Sequence, residues 1–297
     1  MEVNKVSKSF GTLIANNEIS FSISEGEVLA VLGENGAGKT TLMNMIFGHY
    51  VPDTGNITFN GKLMPAGDTK AAIKAGIGMV HQHFTLAENL TVLENIIIGK
   101  NPLWGWTLNA VKAEKKIRNI SESFGLKLDP FSKVIDLSVG EKQRLEILKT
   151  LYGDCKLVIL DEPTASLTPQ EVDSLFTTIN AMVKSGLSVI IISHKLDEIL
   201  KISDRIVVLR QGEVVSTIAK IDANKDDLAE LIVGRKIFRP EKKETIPTQK
   251  ILALTNISSQ PSSGSPMGLK QLNLNLYGGE IHGVAGVSGN GQKALCE

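Results

Sequence analysis

Cysteine is nearly absent: Cys155 and Cys296 are the only two in 297 residues. They stand in unrelated surroundings with no ligand-like spacing, which excludes a disulfide framework or a thiolate metal site as an organising feature. Net charge is absent too, since 32 basic side chains balance 32 acidic ones. A protein whose main task is to coat nucleic acid or anionic lipid is therefore not expected. No stretch approaches the roughly eighteen consecutive apolar residues of a membrane span, and the opening MEVNKVSKSFG lacks the apolar middle of a signal peptide. A cytosolic location is expected. What is present is a 42% hydrophobic composition, over a length that suits one large domain or a domain with part of another. Disorder is excluded as the dominant state.

After a Gly-Glu turn, residues up to Leu32 read VLAVL, a short apolar run that fits a strand buried on both faces of a parallel sheet. A glycine-rich stretch follows, then a helical pattern over Thr41 to Phe47 that Gly48 stops. Leu157 to Leu160 and Val189 to Ile192 repeat the buried-strand signature. The helix between them has Thr168 as N-cap, Pro169 at its first position and Glu171 completing a capping box. Its apolar stripe is Val172, Leu175, Phe176, Ile179, Met182 and Val183, and Gly186 ends it. Hairpins are expected at Asn56 to Leu63 and Arg205 to Val215. Residues 88–150 read as a helical subdomain with a Trp-Gly-Trp insertion at Trp104 to Trp106. Residues 236–250, charged and carrying Pro240 and Pro247, have the composition of a linker.

Chemistry concentrates in three places. Gly33-Glu34-Asn35-Gly36-Ala37-Gly38-Lys39-Thr40 fits the phosphate-loop pattern and lies between a buried strand and a helix, where the mechanism needs it. Its glycines let backbone N–H groups turn toward phosphate oxygens, Lys39 reaches the β- and γ-phosphates, and Thr40 offers a hydroxyl to Mg²⁺. At the end of the strand Leu157–Leu160, Asp161 is placed to hold hydrated Mg²⁺ and Glu162 to polarise an attacking water. His194 follows its own strand through Ser193, so it is expected at the same carboxyl edge, contacting the γ-phosphate.

The ordered set of Gly33 to Thr41, Gln82, Leu137-Ser138-Val139-Gly140-Glu141, Leu157 to Glu162 and His194 resembles the nucleotide-binding domain of ABC transporters, over about the first 235 residues. The resemblance implies an α/β fold of the P-loop NTPase, ABC ATPase type: a mixed, largely parallel sheet core with an antiparallel β subdomain and a helical subdomain. It implies ATP and Mg²⁺ as ligands. Gln82 would sense the γ-phosphate and join the Mg²⁺ site, Leu137 to Glu141 would be the signature loop, and Phe10 would stack on adenine. Ala165 to Thr168 would link two sites, because each ATP in the family lies between the phosphate loop of one domain and the signature of another. Val139 and Glu141 depart from the commonest signature, although LSVG is used by sugar and nucleoside importers. Glu141 is expected to add negative charge near a phosphate site.

The tail resembles the start. Glu18 to Glu27 matches Gln271 to Glu280 in alternation and ending, and Gly33, Gly36 and Gly38 fall on Gly286, Gly289 and Gly291. Gln292 replaces Lys39, so the second loop is expected to bind phosphate weakly. The expected organisation is a nucleotide-binding domain at 1–235, a linker at 236–250, and at 251–297 the truncated start of a second such domain. An unrelated hairpin tail is the alternative. The resemblance implies an ATP-hydrolysing subunit at the cytoplasmic face of the membrane that energises import of nucleosides or simple sugars. Its partners would be integral membrane permease subunits, met by Gly76 to Gly99 and the helical region beyond. A second ABC domain, from its own second half or from a head-to-tail dimer, and an external solute-binding protein complete the set. Two other readings stand beside this one: a soluble ABC-type ATPase acting on ribosomes or DNA, and an inactive truncated product. The former calls for a long charged arm, whereas Arg235 to Lys250 is short, so no nucleic-acid partner is expected.

Overall fold

The computed structural model describes residues 1–98, 106–235, 248–261, 268–286 and 290–296. Trp104, most of the expected linker (236–247) and Gly289 lie outside them. The chain divides into two compact units, Met1–Ile237 and Phe238–Glu297.

In the first unit, three short runs are buried at every position: β3 (Val28–Leu32), β7 (Leu157–Asp161) and β8 (Ser188–Ile192). Continuous apolar sequence is what a strand covered on both faces requires. They form the centre of a six-stranded sheet with β6 (Ile77–Val80), β9 (Arg205–Arg210) and β10 (Glu213–Ala219), in the order β10-β9-β3-β8-β7-β6. All pairings are parallel except β10 with β9, the hairpin expected from the Gln211-Gly212 turn. A second, antiparallel sheet contains β1 (Glu2–Phe10), β2 (Leu13–Ser22), β4 (Thr54–Phe59) and β5 (Lys62–Leu63) in the order β2-β1-β4-β5.

Period-two alternation divides the central strands between two cores. Leu29, Val31, Ile159, Ile190 and Ile192 pack with Leu42, Met43 and Ile46 of α1 (Lys39–Phe47) and with Val3, Val6, Ile19 and Phe21 of the antiparallel sheet. Ala30, Leu32, Val158, Leu160 and Ile191 face the other way. They meet Leu145 and Leu148 of α5 (Val139–Leu151) and Leu175, Ile179 and Met182 of α6 (Pro169–Lys184). At roughly 1.5–3 kcal/mol per fully buried branched side chain, these layers fix the strand ends that carry the site.

The remaining helices are α2 (Thr69–Ala75), α3 (Val92–Ile97), α4 (Trp106–Phe124), α7 (Leu196–Ile202) and α8 (Lys225–Val233). Within 88–150, α3, α4 and α5 pack on one another, and α3 and α5 both open on capping boxes, Thr91 with Glu94 and Ser138 with Glu141. Among the described residues, no helix is long and apolar enough to cross a membrane. Two boundaries differ from expectation. Helix α1 begins at Lys39 rather than Thr41, because left-handed Gly38 already serves as its N-cap; α6 ends at Lys184, with Ser185 as cap and Gly186 turning the chain at φ 93°.

In the second unit, β11 (Lys250–Ile257) and β12 (Leu272–Tyr277) form an antiparallel hairpin, followed by the short helix α9 (Gln292–Cys296). Details of the first unit recur in it. Lys5 and Glu18 have positive φ and donate their N–H groups to Ser20 Oγ and Ser7 Oγ, each at 2.9 Å. Asn256 and Gln271 likewise have positive φ, and donate to Asn273 Oδ1 at 2.9 Å and Ser258 Oγ at 3.0 Å. Ser24 N donates to Glu27 Oε2 at 2.7 Å, and Tyr277 N to Glu280 Oε1 at 2.8 Å.

Candidate functional site

The topology alone brings the three segments together. Strand β8 lies between β3 and β7, with Ile192 in register with both Val31 and Asp161. The residues that follow, Gly33 onward, Glu162 and His194, therefore leave the sheet at one carboxyl edge.

The glycine loop is held by close backbone approaches. A Cβ at Gly33 would meet Leu209 O at 2.4 Å, and one at Gly38 would meet Ala15 O at 2.3 Å, with φ at 96° as well. Asn16, fully buried on β2, donates from Nδ2 to Gly38 O at 3.2 Å. Ala37 N closes the turn on Glu34 O at 3.1 Å. Lys39 is only 6% exposed, and its Nζ donates to Gly33 O at 2.7 Å and Glu34 O at 2.8 Å. Burial lowers its pKa, against the opposing pull of Glu162 and then Asp161. The ammonium thus lies folded along the loop whose phosphate it would meet.

Thr40 Oγ1 donates to Asp161 Oδ2 at 3.4 Å. A hydroxyl and a carboxylate oxygen at this separation are hard donors of the kind Mg²⁺ takes, so the pair fits that ion. Burial first, and the neighbouring Glu162 second, raise the Asp161 pKa, while Thr40 and Lys39 oppose the rise. For a carboxylate the sign follows directly. Charging Asp161 costs the folded state stability above the ordinary aspartate range, and the cost vanishes at acid pH where the group is protonated in both states. Asp161→Asn should therefore raise the unfolding midpoint of the nucleotide-free chain at neutral pH, and lose that advantage in acid. Thermal melts at both pH values check this, and a lower midpoint at neutral pH would contradict it.

Glu162 has φ at 46°, a left-handed conformation that costs a non-glycine residue on the order of 1–3 kcal/mol. Its N–H donates to Ile192 O at 3.0 Å, which holds the turn. Its Oε1 lies 3.0 Å from His194 Nδ1, so the imidazole donates to the carboxylate when Nδ1 carries the proton. The loop beyond is braced from α7: Thr164 Oγ1 donates to Glu198 Oε2 at 2.5 Å, and Lys195 Nζ to Thr164 O at 3.0 Å.

Other expected positions lie apart from this cluster. Phe10 ends β1 on the hairpin that carries Asn16, exposed and edge-on to Tyr50 with ring centroids 5.5 Å apart. Gln82 is exposed just past β6 and makes no side-chain hydrogen bond among the described residues. Leu137 closes the short turn Val134–Asp136, and Ser138 to Glu141 form the capped start of α5. There Ser138 donates its N–H and Oγ–H to Glu141 Oε2, each at 2.9 Å. These bonds hold the Glu141 carboxyl below its ordinary range, so its charge is engaged in capping the helix rather than free to act on a bound phosphate. Sequence reasoning missed Asn16, whose signal is only its burial in the fold, and Tyr50. It read Glu171 as a cap alone.

A family profile described as ABC transporter matches residues 16–165. The chain belongs to the ABC transporter family. Among relatives in the family, the nucleoside import ATP-binding protein NupA of Lactococcus lactis subsp. cremoris is 44% identical over 291 residues, covering 98% of this chain and 57% of that protein. The guanosine import ATP-binding protein NupO of Bacillus subtilis is 43% identical over 298 residues, covering 100% and 58%. The chain thus spans less than three-fifths of the length of these curated relatives. Of solved ABC cassettes, the ADP conformation of MJ1267, an ATP-binding cassette of an ABC transporter, superposes with a TM-score of 0.68 at 26% identity, covering 79% of this chain and 98% of that one. A nucleotide-free cassette from an ABC transporter gives 0.66 at 25% identity, covering 78% and 94%.

Proposed function

We propose that this chain binds and hydrolyses ATP to energise import of a nucleoside or simple sugar through separate membrane permease subunits, at the cytoplasmic face of the membrane. The observation that carries this reading is the meeting of Lys39, Thr40, Asp161, Glu162 and His194 at one sheet edge. The likeness to the nucleoside import protein NupA and the guanosine import protein NupO favours a nucleoside.

In this account the loop N–H groups and Lys39 take the β- and γ-phosphates, and Lys39 exchanges its carbonyl partners for phosphate oxygens. Mg²⁺ would be held by Thr40 and Asp161, with Gln82 as a further member, and supplies charge neutralisation at the phosphates. Glu162 accepts a proton from the attacking water as the water oxygen bonds to the γ-phosphorus and the bond to the β-phosphate oxygen breaks. His194 orients the Glu162 carboxylate and meets the γ-phosphate; Phe10 stacks on adenine. The signature loop Leu137 to Glu141 serves the ATP of a second domain. We assign the second unit to such a domain, supported by the recurring bulge bonds and by Gln292 opening α9 where Lys39 opens α1. Its loop would bind phosphate weakly, lacking the lysine. An apolar groove beside Gln82, lined by Phe47, Ile77, Met79, His81 and Lys149, lies on the face assigned to the permease.

Affinity purification of the chain from its own cells tests the transport role. Two polytopic membrane proteins should accompany it, whereas ribosomes or DNA in their place would overturn the reading.

A further inference from the structure

We propose that Glu171 is a positioning residue, whose single carboxylate ties the signature loop to the loop that follows Glu162. The inference rests on the reading of both loops given above. Each carboxylate oxygen has its own attachment. Oε2 accepts from Thr168 N and from Thr168 Oγ1, both at 2.9 Å, at the end of the loop after Glu162. Oε1 lies against Gly140 so closely that a Cβ there would stand 2.1 Å from it, and the Gly140 N–H adds to the lowering of the carboxyl's pKa. The Thr168 backbone and hydroxyl bonds, joined by the charge of Arg144, hold this carboxyl below its ordinary range, so it is an anion and a strong acceptor at neutral pH.

Between Glu162 and Glu171 there is little slack. Ala165 N donates to Glu162 O at 3.2 Å, and Leu167 N to Thr164 O at 3.3 Å. Thr164 is itself held from α7 by Glu198 and Lys195. A shift of the signature loop against a second domain's nucleotide therefore reaches the backbone of Glu162 through one side chain and two tight turns. Among the described residues the other two capping boxes lack this second contact: Glu94 bonds within Thr91 and Glu141 within Ser138, and neither carboxylate is pressed against a glycine as Glu171 is. Helix capping alone explains the Thr168 bonds. It does not explain a carboxylate seated under the glycine of another helix.

Glu171→Gln isolates the link, because the amide keeps one acceptor for Thr168 and turns an NH₂ group toward the Gly140 N–H. Glu171→Asp keeps the charge near Thr168 but is too short to reach Gly140, and it stands in should the first variant fold poorly. Asn224→Ala, which removes the side chain that caps α8 by accepting from Asp227 N, is the control for generic loss of a cap. In the full chain, both Glu171 variants should lower kcat about tenfold, the order expected for one charge-assisted hydrogen bond. KM for ATP should stay within about twofold, since the phosphate loop is untouched. Hydrogen exchange at the Gly140 amide should accelerate about tenfold while phosphate-loop amides keep their protection. The control should change neither. Unchanged Gly140 exchange overturns the proposal, as does faster exchange with unaltered kcat, or an equal kcat loss in the control. If Lys39→Ala hydrolyses ATP as fast as the wild type, the reading of the nucleotide site fails instead, and this inference falls with it.

Discussion

Glu162→Gln should hydrolyse ATP about 10²–10⁴-fold more slowly than the wild type while binding it as tightly, the range expected when a general base is lost. The substitution is isosteric, so the turn held by Glu162 N on Ile192 O survives, and Gln can still accept from His194 Nδ1. What disappears is the negative charge proposed to take the proton of the attacking water. Removing it also relieves repulsion on buried Asp161, whose pKa the Glu162 charge helps to raise, so ground-state binding of Mg²⁺ and ATP should not suffer. Single-turnover hydrolysis beside equilibrium binding separates the two quantities. A rate within threefold of wild type would remove Glu162 from the role.

Lys39→Ala should fail at the earlier step. Lys39 Nζ donates to Gly33 O and Glu34 O, bonds that the proposed function has it exchange for phosphate contacts. Each charge-assisted bond contributes about 1.5–3 kcal/mol, so losing two weakens ATP binding by on the order of 10²–10⁴-fold. The folded chain should tolerate the change, because the glycine approaches to Leu209 O and Ala15 O keep the loop in shape without Lys39. Titration with a fluorescent ATP analogue reads the affinity directly, and unchanged affinity would show that the lysine does not meet the nucleotide.

The parts of this molecule legible in its sequence are those in which one residue type has one physical solution. Unbroken runs such as VLAVL and SVIII become strands buried on both faces, and Thr168-Pro169 with Glu171 becomes a capped helix start. From those strands the common edge of Asp161, Glu162 and His194 follows, because parallel strands deliver their ends to one side. Contacts set by tertiary approach were not legible. Asn16 meets Gly38 only because β2 crosses the loop, and nothing in its local sequence announces a buried amide. Glu141 looked like stray charge near a phosphate until its geometry revealed a helix cap. Glu171 shows the same limit from the other side, since its local role is evident while its reach to Gly140 depends on how α5 and α6 pack. The roles proposed for Gln82 and Phe10 come from the resemblance, and both residues lie apart from the cluster, exposed beyond β6 and at the end of β1.

The most direct measurement is a crystal structure of the Glu162→Gln chain grown with ATP and Mn²⁺, the metal located by its anomalous signal. The account predicts one triphosphate at the first glycine loop, with Lys39 Nζ on its phosphate oxygens and the metal bound by Thr40 and Asp161. Nucleotide bound elsewhere, or metal density away from that hydroxyl and carboxylate, would contradict it.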